Sequence, residues 1–378
     1  MKKYMVKLLG GEKHQMLRIS LFAIVVSLIF GVVVLLIIGN NPFASYLNLL
    51  QGSGLAPKRS YAGRKNMFTD FMNLLDALTP MIFASLAVTV ALKGGLFNIG
   101  VSGMMLAAGF AATVTVGYSS LFAGAAKPLV LIIGIISGAL VGALIGWLKY
   151  RFNINEVVSS IMLNYILMYV FTFFINSYYV DPVSRQSTNI NDAARLTIVD
   201  FKAFGLKFDI PLAFPLAIIV AILIRFIMDK TTIGFEIKAV GLSRTAANYA
   251  GISIGRNIML TMILSGALAG LAGVTYFCGY VGSIQPGVVP SMGFNAIAVA
   301  LLGCSEPIGC IYASFLITII SNGSIYMSSQ QGVEIEIADL ITAFILIFSA
   351  CSEYIRMYVS KAAMELNTAG EKKGGAQA

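Results

Sequence analysis

Residues 128–148 read Pro-Leu-Val-Leu-Ile-Ile-Gly-Ile-Ile-Ser-Gly-Ala-Leu-Val-Gly-Ala-Leu-Ile-Gly-Trp-Leu, without a single charge. About 20 mostly apolar residues at a helical rise cross the hydrocarbon core of a bilayer, so this stretch predicts a membrane-spanning helix. Within it Gly134, Gly138, Gly142 and Gly146 recur every fourth residue. That spacing makes a ridge of small residues along which two helix backbones can approach closely. Ser265, Gly266, Ala269, Gly270 and Gly273 form a second such face. The fragments Ser137-Gly-Ala-Leu-Val-Gly142 and Ser265-Gly-Ala-Leu-Ala-Gly270 are near copies, which points to an internal repeat of the kind transporters often carry.

The rest of the chain repeats the pattern. Apolar runs occur at Ile19–Gly39, Leu74–Leu92, Leu96–Val116, Val157–Ile175, Pro211–Met228, Ile258–Gly279, Pro307–Ser321 and Ile337–Ser352, with a shorter one at Met292–Gly303. The expected fold is an all-α polytopic membrane protein with about ten transmembrane helices, broken helices included. Gly94–Gly103 and Met292–Gly309 are short and glycine-interrupted, so they predict broken helices lining a cavity or buried in protein. Over all 378 residues 58% are hydrophobic and 11% charged, against roughly 25% charged in soluble domains. The net charge of +9 gathers in the first eighteen residues, the tail and the loops, which excludes a nucleic-acid binder. The partner this composition requires is membrane lipid.

The basic loops predict orientation. With residues 1–18 as a basic cytoplasmic N-terminus, Lys93, the Lys149/Arg151 hairpin, the 229–257 loop and the C-terminal tail 358–378 fall on the cytoplasmic side. Residues 19–357 form the transmembrane domain, and the tail reads as partly disordered. One segment conflicts with this map: Gln51–Asp70 falls outside yet carries Lys58, Arg59, Arg64 and Lys65. The large outer loop, 176–210, has near-zero net charge and reads as a solvated connector or a docking surface.

Whole classes of chemistry drop out. The only histidine, His14, lies in the basic N-terminal segment, so no histidine-based metal cluster can form. The cysteines 278, 304, 310 and 351 make no Cys-x-x-Cys pair. Gly100-Val-Ser-Gly103 resembles a serine-protease turn but has no base to activate Ser102. There is no phosphate-loop motif, so ATP would have to be bound by another chain, and no cofactor is expected here. Asp76, Arg225, Glu306, Asp339 and Glu353 are placed near helix ends or loops, leaving no proton relay in the spans.

In the 229–257 loop, Ser243 can cap a short helix running through Asn248 and stopped by Gly251. An interfacial helix of this kind is either a handle for a soluble partner or a plain connector.

Four ordered motifs carry a resemblance. They are Gly95-Leu-Phe-Asn-Ile-Gly100 with Gly103-Met-Met-Leu, then Asn155-Glu-Val-Val-Ser-Ser-Ile-Met-Leu-Asn-Tyr165, then the stretch 238–252, and Gly293-Phe-Asn-Ala-Ile-Ala-Val-Ala-Leu-Leu-Gly303. Between about Leu74 and Arg356 the chain resembles ABC-importer permeases of the branch serving ribose-like sugars, branched-chain amino acids and nucleosides, nearest the nucleoside subgroup. The resemblance implies a permease subunit of the bacterial plasma membrane without an ATPase site of its own. It implies two ATPase subunits, a second, non-identical permease subunit and an extracytoplasmic substrate-binding lipoprotein as partners. The coupling element would comprise Gly234, Glu236, Gly241, Arg244, Ala246, Ala247 and Gly251. The substrate path would be flanked by Asn98, Gly100, Ser102, Asn164, Phe294 and Asn295, whose amides and hydroxyl either hydrogen-bond the solute or tie helices together. Ser102 and Met104 stand where relatives commonly have Glu and Gln, which leaves a sugar as the alternative cargo. An ion-coupled secondary transporter is the alternative mechanism.

Overall fold

The computed structural model describes residues 15–61, 63, 65–203, 206–351, 354, 355, 357–359 and 361. The N-terminal basic residues through His14, Arg64, Glu353, Arg356 and the tail from 362 lie outside the described residues. Each apolar run is helical over most of its described length. In chain order the helices are α1 (Gln15–Ile37), α2 (Pro42–Gly52), α3 (Met67–Lys93), α4 (Val101–Ala112), α5 (Ala123–Phe152) and α6 (Glu156–Phe174). After a hairpin come α7 (Ala213–Lys230), α8 (Thr232–Leu242), α9 (Arg244–Tyr249), α10 (Ile254–Thr275), α11 (Met292–Leu302), α12 (Pro307–Gln331) and α13 (Glu336–Ala350). Among the described residues six helical segments are long and apolar enough to cross a membrane, against about ten expected with part-crossings counted. The difference lies in α4 and α11, which are half-length, and in α7 and α13, which are short or charged at one end.

Burial sorts these helices. The apolar stretch of α3 is 94% buried, with Ile82, Phe83 and Leu86 wholly enclosed, so α3 is the central post. The outer helix α5 has two faces. Ile132, Ile136, Leu140 and Leu144 are exposed at four-residue spacing, as a lipid-facing stripe requires. Its glycine stripe is buried against α10, and the two near-copy fragments meet there. A Cβ on Gly138 would run into the Gly266 carbonyl oxygen, and one on Gly270 into the Gly134 carbonyl oxygen. The two glycine ridges are thus the two sides of one seam.

Three elements were not expected. Helix α2 begins on the Asn41 cap, whose side chain accepts from the Phe43 and Ala44 amides, and lies against α12, where Gly323 meets the Leu49 backbone. The second is a strand pair, β1 (Thr197–Ala203) antiparallel to β2 (Leu206–Pro211), so the fold is not purely α. Its Phe208 makes an edge contact with Phe68 at the start of α3. The third is a π-helical turn at one end of each of α4, α6 and α10: Thr113–Gly117, Ile175–Tyr179 and Tyr276–Val281.

The loop before the hairpin binds these turns together. The amide of Asn191 donates to Gly117 O (3.0 Å), that of Thr188 to Tyr179 O (2.9 Å), and that of Leu196 to Cys278 O (2.8 Å). The Ile190 and Ser187 amides continue the ladder to Gly282 O and Ile284 O. π-turns shift the backbone register, and here the displaced carbonyls find partners in a neighbouring loop. The 176–210 segment is therefore a plate fastened over three helix ends rather than a free connector.

Asp76 also departs from expectation. It sits in the third turn of α3, buried, and its Oδ1 accepts from Thr197 Oγ1 on β1 at 2.8 Å. Thr197→Val keeps the shape and removes the donor, which for a buried group costs about 1–3 kcal/mol. The melting temperature of the detergent-purified protein is expected to fall by a few degrees. An unchanged melting temperature would mean that this latch is not closed in solution.

The conflicting basic segment is partly neutralised internally. Lys58 Nζ lies 2.7 Å from the Asp70 carboxylate and 4.6 Å from the centroid of the Tyr326 ring, tying the start of α3 to α12.

Candidate translocation site and coupling surface

Between α3 and α4 the chain leaves helical geometry at Gly94–Gly100. Gly95 takes φ +65°, a backbone shape that glycine adopts without strain. Most of the predicted path residues hold this break. The Asn98 carboxamide accepts from the Gly100 amide (2.9 Å) and donates to Ser265 Oγ (2.8 Å), which in turn donates to Ala87 O. From α6, Asn164 accepts from the Gly103 amide (2.9 Å) and donates to Ile99 O (3.1 Å). Ser102 donates to Pro290 O at 2.8 Å. Asn98, Ser102 and Asn164 are all buried, so their polar atoms are engaged in protein contacts. Open backbone ends inside a membrane require such internal partners.

A second break lies before α11. From the π-turn of α10 the chain runs non-helically through residues 282–291, and its end stands on the start of α4, where Gly293 packs on Ser102. The wall formed there encloses a half-open cavity of about 140 Å³. Ala77 and Met81 of α3 supply apolar lining, and Thr318, Ser321, Asn322 and Ile325 of α12 face them. Tyr276, Tyr280, Ser291, Met292 and Asn295 complete the lining. Of the predicted path residues only Asn295 lines this cavity; Phe294 is exposed beside it. The tyrosines and Asn322 were not anticipated. The polar run Ser321-Asn-Gly-Ser324 inside what proves to be one continuous helix to Gln331 was the available signal.

At the far end of α3 lies a ledge made by α8 and α9. Thr231 caps α8 through the Gly234 amide, and Ser243 caps α9 through the Ala246 amide, as expected for Ser243. Four of the predicted coupling residues fasten the ledge to the bundle. Gly234 packs on the end of α7, and Glu236 accepts from Asn257 Nδ2 at 3.0 Å. Gly241 lies directly on the Lys93 carbonyl and the Gly94–Gly95 turn. Ala247 is only 3% exposed, so its methyl group faces inward. Arg244, Ala246 and Gly251 are exposed. Leu242 and Tyr249, which none of the four motifs singles out, are 88% and 89% exposed, two large apolar side chains on the outward face. Lys93 and Glu306, 2.8 Å apart, close the same end between α3 and α12.

Over 372 residues the chain is 34% identical to the nucleoside ABC transporter permease protein NupB of Lactococcus lactis, covering 96% of this chain and 99% of that one. It is also 34% identical over 349 residues to the guanosine ABC transporter permease protein NupP of Bacillus subtilis, covering 91% and 96%. More distant is the glucose ABC transporter permease protein TsgB13 of Haloferax volcanii, 28% identical over 292 residues, with 75% and 77% covered. The model of the branched-chain amino acid transport system permease component matches residues 71–350. That span takes in α3 through α13, with both breaks and the ledge. The chain is thus a multi-pass plasma membrane protein and belongs to the family of branched-chain amino acid transport system permease components.

Proposed function

We propose that this chain is a permease subunit of an ABC importer that moves nucleosides inward across the plasma membrane. The observation that carries the cargo assignment is the end-to-end similarity to NupB and NupP, stronger and longer than that to the glucose permease. The geometry supports the mechanism. The α8–α9 ledge faces the cytoplasm together with both termini, and ATPase subunits dock on it through Leu242 and Tyr249. The hairpin and its plate face outward, where a substrate-binding lipoprotein delivers the solute. A second, non-identical permease closes the open side of the cavity. ATP is consumed by the ATPase subunits, and this chain carries no cofactor.

Rocking of rigid helices around a fixed site is the economical form of alternating access. The contact of Gly241 with the Gly94–Gly95 turn gives that motion a short path from ledge to broken helix. Mutating the phosphate-loop lysine of the partner ATPase should abolish nucleoside uptake. Uptake that persists in that mutant and collapses with an uncoupler would establish an ion-coupled carrier instead.

Docking has its own test. Tyr249→Asp places a charge on the outward face without entering the bundle. Membrane insertion should be unchanged, while co-purification of the ATPase should fall by more than tenfold. Retention of the ATPase would remove Tyr249 from the interface.

A further inference from the structure

The amides of the bundle fall into two groups. Asn98 and Asn164 have both ends of the carboxamide engaged by protein. Around the cavity, by contrast, the side chains of Tyr276, Tyr280, Ser291, Asn295, Ser321 and Asn322 make no hydrogen bond to another described residue. None of these side chains is fully buried, so each stays open to a partner that comes from outside the chain. Six of them converge on one concave surface.

We propose that this surface is a transit subsite for one uncharged ring of the cargo, the base or the ribose of a nucleoside, held by Asn295 and Asn322 beside Tyr276 and Tyr280. The assignment of ligand rests on the nucleoside reading above. A carboxamide offers an acceptor and two donors, which fits the mixed edge of a base or the hydroxyls of a ribose. Phenol rings supply an apolar face with a polar tip, suited to a flat heterocycle. The lining contains no charged side chain, so nothing compensates the charge of a phosphate. The subsite therefore accepts nucleosides and rejects nucleotides.

Size agrees with one ring at a time. Cavities for drug-sized ligands begin near roughly 300 Å³, about twice the 140 Å³ found here. The remainder of the molecule lies across the open side, toward the second permease. Position agrees as well. Ser291 and Met292 begin the half-helix α11, whose N-terminal end carries a partial positive charge that favours carbonyl and hydroxyl oxygens. Tyr276 and Tyr280 stand on the π-turn that the outer plate holds through Cys278 O, so the subsite is anchored from the outer side.

The test uses the complete transporter with its binding protein in proteoliposomes and labelled guanosine and uridine as probes. Asn322→Leu and Asn295→Leu should each lower uptake more than tenfold, with the permease pair and ATPase still co-purifying. Tyr276→Phe removes only a hydroxyl and should lower uptake several-fold, which keeps the test open if a leucine variant fails to assemble. Excess guanosine should compete and guanosine monophosphate should not. Normal uptake by the variants would place the cavity off the path. Loss of the second permease from the purified Asn322→Leu complex would make these groups subunit contacts and overturn the subsite. Wild-type transporter that moves neither nucleoside but moves a sugar would overturn the cargo assignment itself, a result distinct from the other two.

Discussion

Gly138→Leu is expected to remove the folded permease from the membrane fraction. A Cβ at Gly138 would meet the Gly266 carbonyl oxygen and lie 2.6 Å from Gly270 Cα and 2.7 Å from Gly270 N. On the facing helix, a Cβ on Gly266 would meet Gly138 O and approach Gly142 Cα to 3.0 Å. Every obstructing atom is backbone, so no side chain can swing aside. Overpacking in ordinary cores costs about 1–3 kcal/mol because neighbours yield. Here two long helices must separate, and van der Waals contact along the seam is lost with them, in a setting where close packing is the main force between helices. The loss should exceed that range and consume much of a stability of about 5–15 kcal/mol. Immunoblotting of membranes and gel filtration after mild extraction give the measurement, with Ile136→Ala on the exposed stripe as the silent control. Normal accumulation of Gly138→Leu would show that α5 and α10 do not meet along their glycines.

Gly241→Val should separate docking from transport. The residue, near the end of α8, is pressed against the turn that breaks α3 from α4. Its Cβ would meet Lys93 O, and from the other side a Cβ on Gly95 would lie 2.8 Å from Gly241 O. Valine forces the ledge away from the turn while leaving Leu242 and Tyr249 on the outward face. ATPase co-purification should persist and uptake should fall more than tenfold, the reverse of the docking loss expected for Tyr249→Asp. If Gly241→Val also releases the ATPase, the ledge is a single rigid unit and this contact is not a separate transmission point. Wild-type uptake would exclude the contact from coupling altogether.

The helices were legible in the sequence because apolar length is a local property, and so was the break at Gly94–Gly100, because glycine marks it. Ser243 was legible as a cap for the same reason. The break at 282–291 lies upstream of Met292–Gly309, the segment expected to be broken, whose own interruption is the turn between α11 and α12. Other features depend on what comes together in space. Asn98 meets Ser265 across 167 positions and Asn164 meets Gly103 across 61, so no local reading could tell which amides are spent and which remain open. The resemblance puts Ala247 in the coupling element, but a helix places side chains about 100° apart, and only the packing of α9 shows that this methyl group points inward. A run beginning at Leu74 puts Asp76 at a helix end; the cap at Asn66 extends α3 by two turns and carries the carboxylate inside. The strand pair had a visible signal in the alternation of Leu206, Phe208 and Ile210, overshadowed by the charges between them.

The glycine seam also fixes a timetable. Gly138 and its partner Gly266 are 128 residues apart, so α5 leaves the ribosome long before α10 exists. At roughly 5–20 residues per second the interval is about 6–26 s. During it α5 lies in lipid with one face bare of side chains and no helix to cover it. The bundle therefore closes late in synthesis, and a chain interrupted before α10 has nothing with which to complete its outer wall.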